Sequence, residues 1–364
     1  MSTWATATKR KDLGRKIVVV KRKTRLEELT EKFNTKSQAR FYLRRSRENF
    51  AATAGKQIRS TGYSGGDDAY NDLEAEHETY TRELASLRDG VDFGLPAMVV
   101  DRAFLPTFLF GPDDIVVALG QDGLVANVAK YTIGLPIIAV NPDPSRFDGI
   151  LLPYSVVTGI SAINDVIKNR AIVRKVTLAE AVLNDGQRLL AFNDLFIGSR
   201  THVSARYRIQ SGERSEVQSS SGVLVSTGAG STGWLSSIFN MATAVSGLAR
   251  GAANQQRPRT TIAAWEDRKL IYVVREPFAS KVSQVGMAIG SIPEGTELII
   301  ESHMPDHGAI FSDGIESDYI AFNSGAVARI TVARQFATLV VPHVTASAQT
   351  TQRPTFRGRN IAPR

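Results

Sequence analysis

The chain has 364 residues, 43% of them hydrophobic and 22% charged, a balance ordinary for a globular protein with room for two domains that each bury a core. It has no cysteine and no apolar run near the roughly 18 residues of a bilayer-spanning helix, which excludes a disulfide framework, a thiolate zinc site and a transmembrane helix. The net charge of +8 is an N-terminal property: residues 1–62 hold 17 Lys and Arg against 5 Asp and Glu, a local +12, and the rest sums to −4.

Residues 1–14 form a basic tail without an apolar h-region, so a secretory signal is not expected, an organellar leader has weak support, and a cytoplasmic location is the default. Ile17, Val18, Val19 and Val20 then read as a buried parallel strand. Leu26, Leu29 and Phe33, followed by Phe41, Leu43 and Phe50, put the basic stretch on helices, so its charges read first as solvated faces and only second as a nucleic-acid arm. Residues 72–87 predict an amphipathic helix through Leu73, Tyr80, Leu84 and Leu87, with Gly90 beyond its end. Strands follow at 97–100, 115–119 and 136–140, and the turn Gly120-Gln121-Asp122-Gly123 opens a helix running to Lys130. Strands alternating with helices predict a Rossmann-like α/β domain with a parallel sheet over 15–154.

After Tyr154 the segments shorten and become strand-like, at 171–176, 188–195, 203–210 and 222–225, with Asn-Asp-Gly and Ser-Gly turns between them. One helical stretch, 234–250, intervenes before strands at 270–274, 297–300 and 327–332. This predicts a predominantly β second domain over 155–335 and a C-terminal segment over 336–364, irregular from Thr350.

Three stretches could carry chemistry. At Gly120-Gln121-Asp122-Gly123, free backbone N–H groups at a helix N-terminus can face a phosphate, with Asp122 able to take a proton or help hold Mg²⁺; the letters are equally those of an Asp cap in a tight turn. Asn193-Asp194 sets an amide beside a carboxylate, suited to a ribose or adenine edge, or is a polar pair at a strand end. The loop Gly228-Ala229-Gly230-Ser231-Thr232-Gly233 fits G-x-G-x-x-G, but no Asp or Glu lies between Trp234 and Trp265 and the match falls past mid-chain. It is therefore not a Rossmann fingerprint; it is an anion cradle or a plain connection. His303, Asp306 and His307 have metal-ligand chemistry but lie in a Pro-containing turn and read as an exposed loop. No Walker loop, protein-kinase signature or nucleophile elbow is present.

In order and spacing these elements resemble the NAD kinase family, which carries a GGDG turn in an α/β domain, then an Asn-Glu pair and a TGSTAY-like loop in a β domain. The resemblance extends over about residues 15–335, is closest to the mitochondrial-type members, and includes the segment around His77, Asn141-Pro142-Asp143-Pro144, Ser220-Ser221-Gly222, Arg275-Glu276-Pro277 and Asp313-Gly314. It implies transfer of the γ-phosphoryl of ATP to the adenosine 2′-hydroxyl of NAD, with Asp122 as catalytic base. Gly120, Gly123, Asn193, Asp194, Thr227, Gly230, Ser231, Thr232, Gly233 and Trp234 would bind nucleotide. It also implies Mg²⁺ held mainly by phosphates rather than by fixed protein ligands, and a homodimer or larger assembly with no membrane or nucleic-acid partner. Three residues depart from the pattern: Gln121 for the second glycine, Leu124 for Thr, and Asp194 for Glu. A kinase of another hydroxyl substrate and a catalytically weakened NAD-binding protein are the alternatives.

Overall fold

The computed structural model describes residues 14–53, 66–249 and 263–343. The basic tail, apart from Gly14, and the irregular tail from Thr350 lie outside the described residues.

Four strands, β1 (Ile17–Lys21), β2 (Ala97–Asp101), β3 (Ile115–Leu119) and β4 (Pro136–Val140), pair in parallel in the order β2-β1-β3-β4. All five residues of β3 are buried, as expected of a strand covered on both faces. After β1 come α1 (Arg25–Phe33), opened by a Thr24–Glu27 capping box, then α2 (Lys36–Thr53) and α3 (Gly66–Gly90). The last of these takes in Gly90, one turn beyond the stop expected from sequence. Helix α3 and the unanticipated α5 (Val156–Ile167), with its Ser155–Thr158 capping box, cover one face of the sheet through Tyr80, Leu87 and Ile163. Helix α4 (Asp122–Tyr131) covers the other through Leu124, Val125 and Val128. With β2 and β3 on opposite sides of β1, the strand order reverses there, so the carboxyl ends of β1 and β3 border a switch-point crevice.

The β-rich half contributes β5 (Ile172–Leu183), β6 (Arg188–Ala191), β7 (Asp194–Ser199), β8 (Ala205–Ser211), β9 (Arg214–Ser220) and β10 (Val223–Ser226). Then come α6 (Trp234–Ala249), β11 (Lys269–Val274), β12 (Ile289–Pro293), β13 (Leu298–Ser302), β14 (Gly308–Ser312), β15 (Ile315–Ala321) and β16 (Val327–Val341). One sheet, β12-β11-β10-β7-β14-β15, is antiparallel throughout. The remaining strands extend the parallel sheet: β16 pairs in parallel with β4 at Leu339 and Ile137, and antiparallel with β5 and β13. Strand β16 thus runs past residue 335 and ties the two halves of the chain into one ten-stranded sheet. The two sheets face each other around Leu195, Ile197, Tyr207, Val225, Ile300 and Ile330. Outside the second sheet, α6 packs on Leu224 and Ile271 through Leu235.

Two local readings change. The stretch 188–195 is two strands, broken at Phe192 and Asn193, and that break builds the site described below. Strands β9, β12, β14 and β15 mix Ser, Gly, Gln, Glu or Asp with their apolar residues, so no long apolar run marked them. No described helix is long and apolar enough to cross a membrane.

Candidate functional site

The carboxyl end of β3 delivers the chain to Gly120, whose N–H donates to the Val140 carbonyl at 3.1 Å. A Cβ at Gly120 would sit 2.9 Å from Leu124 Cδ2, so the turn is tight because Leu124 folds back beneath it. Leu124 is buried in the core of the α/β half and presents nothing to a ligand. Asp122 is in the first turn of α4, where a negative charge suits the helix dipole. Its Oδ2 accepts the Ile150 N–H at 3.1 Å and its Oδ1 the Leu151 N–H at 2.9 Å, so it also anchors the loop between β4 and α5. Gly123 has open space where a side chain would project.

The Asn193-Asp194 pair is held from the far end of the sequence. Asp313, in the turn between β14 and β15 at φ 53°, accepts the backbone N–H groups of Phe192 (3.0 Å), Asn193 (2.6 Å) and Asp194 (3.3 Å), and returns its own N–H to the Asp194 carbonyl at 3.0 Å. These bonds satisfy the amides freed by the break between β6 and β7. The Asp194 side chain is buried, yet no described residue donates a hydrogen bond to its carboxylate. Burial pushes both carboxyl groups up, with the Asp313 charge adding to the shift at Asp194. Three amides and Lys130 oppose that shift at Asp313, while the Asp194 carboxyl is pushed up to about 7.

The glycine-hydroxyl loop lies against this pair. Thr227 donates its N–H to the Asn193 carbonyl (2.9 Å) and its hydroxyl to the Phe192 carbonyl (2.6 Å), and accepts the Gly230 N–H at 3.2 Å. The Ser231 hydroxyl donates to the Gly228 carbonyl at 2.7 Å. A side chain at Gly228 would overlap the Ala264 carbonyl, and one at Gly230 the Asn193 carbonyl. Thr227, Gly230 and Ser231 therefore shape the loop from inside, while Thr232, Gly233 and Trp234 are its exposed end. The Trp234 ring stacks on Phe196 with centroids 5.5 Å apart, and the Arg275 guanidinium lies 5.1 Å from its centroid.

Helix α4 ties the two halves of the site together. Lys130, buried, donates from Nζ to the Ser312 hydroxyl (2.6 Å) and to Asp318 Oδ2 (3.1 Å); the Tyr131 hydroxyl donates to the same oxygen at 2.8 Å. Asp318 Oδ1 is buried with no donor among the described residues. Tyr131 and Asp318 belong to the wall of a cleft of about 400 Å³ that extends to Arg22, Lys23, Asp101, Arg102 and Gln121 at the carboxyl ends of the parallel strands. Sequence reasoning missed Lys130, Asp318, Arg22 and Arg102. A Lys in a last helical turn and basic residues after a strand carry no local mark of burial or convergence. Asp313 entered only as part of the Asp313-Gly314 stretch of the family resemblance, with no role assigned to it. The His303–His307 segment remains apart as a half-exposed loop, with His307 Nε2 3.3 Å from Asp306, and no group of three metal-binding side chains occurs among the described residues.

No protein-family model matches this sequence, and no curated protein matches it. Solved structures resemble it in three dimensions. A yeast NADH kinase complexed with NADH superposes with a TM-score of 0.51 at 15% identity, over 91% of this chain and 84% of that one. An NAD kinase from Archaeoglobus fulgidus in complex with ATP gives a TM-score of 0.48 at 12% identity, over 90% and 93%. The chain has the NAD kinase fold, an α/β unit with a largely parallel sheet followed by a unit rich in antiparallel strands.

Proposed function

We propose that this protein is an NAD kinase, transferring the γ-phosphoryl group of ATP to the adenosine 2′-hydroxyl of NAD to give NADP and ADP. The observation that carries the reading is the Asn193-Asp194 pair: a buried carboxylate without a donor, held by Asp313 beside a loop whose exposed end is Thr232, Gly233 and Trp234. A ribose diol supplies the hydroxyl donors that Asp194 lacks, and the Asn193 amide offers both donor and acceptor to an adenine edge or a phosphate. Thr232 and Gly233 line the path of the nucleotide, and Trp234 packs near its base or ribose.

In this scheme the 2′-oxygen attacks the γ-phosphorus, the bond to the β-γ bridging oxygen breaks, ADP leaves, and the 2′-hydroxyl proton passes to Asp122. The Ile150 and Leu151 N–H groups orient that carboxylate and leave lone pairs on both oxygens. General-base assistance of this kind is typically worth about 10²–10⁴-fold. Asp101 and Asp318 in the cleft wall are each paired with a lysine, so Mg²⁺ would be held mainly by the phosphates it arrives with. When bound, the ion supplies charge neutralisation across the phosphate oxygens.

The test is incubation of purified protein with NAD, ATP and Mg²⁺, with NADP read by a coupled dehydrogenase. NADP should form, and Asp122→Asn should abolish turnover while NAD still binds. Calorimetric binding of NAD without NADP formation would instead leave a dinucleotide-binding protein, and turnover retained in Asp122→Asn would remove Asp122 from the base role.

A further inference from the structure

We propose that the cavity between the turn after β7 and the turn before β14 is a binding site for a small organic oxyanion, a carboxylate or phosphate group carried on an apolar body, with the Arg206 guanidinium as its anchor. It lies at the far ends of β7 and β14 from Asp194 and Asp313, and it does not rest on the kinase reading.

The cavity has a volume of about 360 Å³, within the range of small-molecule sites. Asp194 begins β7 and Ser199 ends it, so the extended chain puts ~17 Å between the two places. Strand β14 repeats the relation in reverse, with His307 just before it at the cavity and Asp313 just after it at the Asn193-Asp194 pair. Backbone bonds fix the walls. The Arg200 N–H donates to the His307 carbonyl at 2.8 Å, the His303 N–H to the Arg206 carbonyl at 2.9 Å, and the Ser324 N–H to the Met304 carbonyl at 2.6 Å. Gly308 is pressed against the Phe322 carbonyl with no room for a side chain. Walls held in this way are in place before a ligand arrives, which keeps the ordering cost of binding low.

The lining combines an uncommitted cation with hydroxyls and an apolar surface. The Arg206 side chain forms no ion pair, hydrogen bond or ring contact with any described residue. Arg208, the next residue on the same face of β8, lies 3.6 Å from Glu301, so the lack of a partner belongs to the cavity position and not to the strand as a whole. A guanidinium presents a planar fork of donors that a carboxylate or phosphate takes up in two parallel bonds. Ser204 likewise makes no side-chain hydrogen bond to any described residue, and Ser199 and Thr201, with hydroxyls 3.0 Å apart, bring further donors. Asp306, the carboxylate of the lining, is 3.3 Å from His307 Nε2, which leaves the Arg206 charge unmatched. His307 holds φ 57°, a left-handed backbone that a histidine enters at a cost and that recurs at ligand clamps. Met304, Pro305 and Val203 supply the apolar part, and Val203 is left 66% exposed. An ion without an apolar body would leave that wall wet, and a neutral apolar molecule would leave Arg206 unpaired.

The experiment uses the full chain and isothermal calorimetry with benzoate, phenyl phosphate, neutral benzamide and inorganic phosphate, comparing the native protein with Arg206→Gln, Val203→Asp and Arg208→Gln. Benzoate or phenyl phosphate should bind, and benzamide and inorganic phosphate should bind about tenfold or more weakly than the better of the two. Arg206→Gln should weaken binding about tenfold or more, and Val203→Asp, which sets a carboxylate on the apolar wall, several-fold, ~3–10. Arg208→Gln should stay within about twofold of the native protein. All three positions are exposed, so unfolding midpoints should not move, which separates lost binding from lost folding. Preference for benzoate identifies the head group as a carboxylate and preference for phenyl phosphate as a phosphate monoester; either result supports the site. Saturating NAD should leave binding in place, whereas displacement by NAD would put the probe in the nucleotide site and overturn the proposal. Failure to bind both anions, equal binding of benzamide or of inorganic phosphate, unchanged affinity in Arg206→Gln, or an equal loss in Arg208→Gln overturns it as well. The outcome is independent of whether NADP forms, so it neither supports nor removes the kinase reading.

Discussion

The Asn193 carbonyl occupies the space that a side chain at Gly230 would need. The glycine-hydroxyl loop and the Asn-Asp pair are therefore one object, pressed backbone to backbone. Gly230→Ala should lower stability by about 1–3 kcal/mol and cut NAD affinity, because the obstruction is main chain that cannot swing aside. Gly123→Ala is the contrast: its Cβ meets open space inside α4, and alanine there should raise stability by up to ~1 kcal/mol. Urea unfolding midpoints of the two variants decide this.

The Asp313 carboxylate serves three amides at once. Asp313→Ala orphans all three and should cost about 3 kcal/mol or more, with NAD binding lost because Asn193 and Asp194 are no longer presented. Asp313→Asn keeps the shape and one acceptor, so its penalty should be smaller. Equal unfolding free energies for the two variants would contradict the assignment.

Asp194 should make stability fall as pH rises. Its carboxyl is raised to about 7 in the folded protein by burial and by Asp313, against about 4 in an unfolded chain. Between those values the folded state holds a proton that the unfolded state has released. The contribution is therefore complete below about pH 4 and is lost as pH climbs through about 7, roughly 4 kcal/mol at most. Asp194→Asn should flatten that window, be the more stable protein at pH 8, and still lose NAD affinity. Unfolding free energies at pH 5 and pH 8 for both proteins provide the check.

Lys130 holds α4 to strands β14 and β15 through Ser312 and Asp318. Lys130→Met should cost about 3–5 kcal/mol, since it strands the Asp318 carboxylate and removes a cation whose charge offsets burial at Asp313. Adding Asp318→Leu should restore much of that loss. A double variant as unstable as the sum of the single ones would mean that the two residues do not act as a pair.

Much of this architecture is local in origin and could be read from the chain. The unbroken apolar run of Ile115–Leu119 demands burial on two faces, and a Gly-x-Asp-Gly turn after it demands a strand-to-helix connection, so the parallel sheet and the place of Asp122 follow from neighbouring residues. The glycines of residues 228–233 were likewise visible, but their reason was not: two of them are required by carbonyls of Ala264 and Asn193, contributed by distant segments. Asp313 is 120 residues from the Asn193 amide it binds, Lys130 is 188 from Asp318, and Arg22 is 54 from Glu76. Periodicity and spacing report what a residue needs from its own helix or strand. Which buried amide meets which carboxylate, and which guanidinium group is left without a partner beside a cavity, is decided only when the two sheets and α4 close on one another.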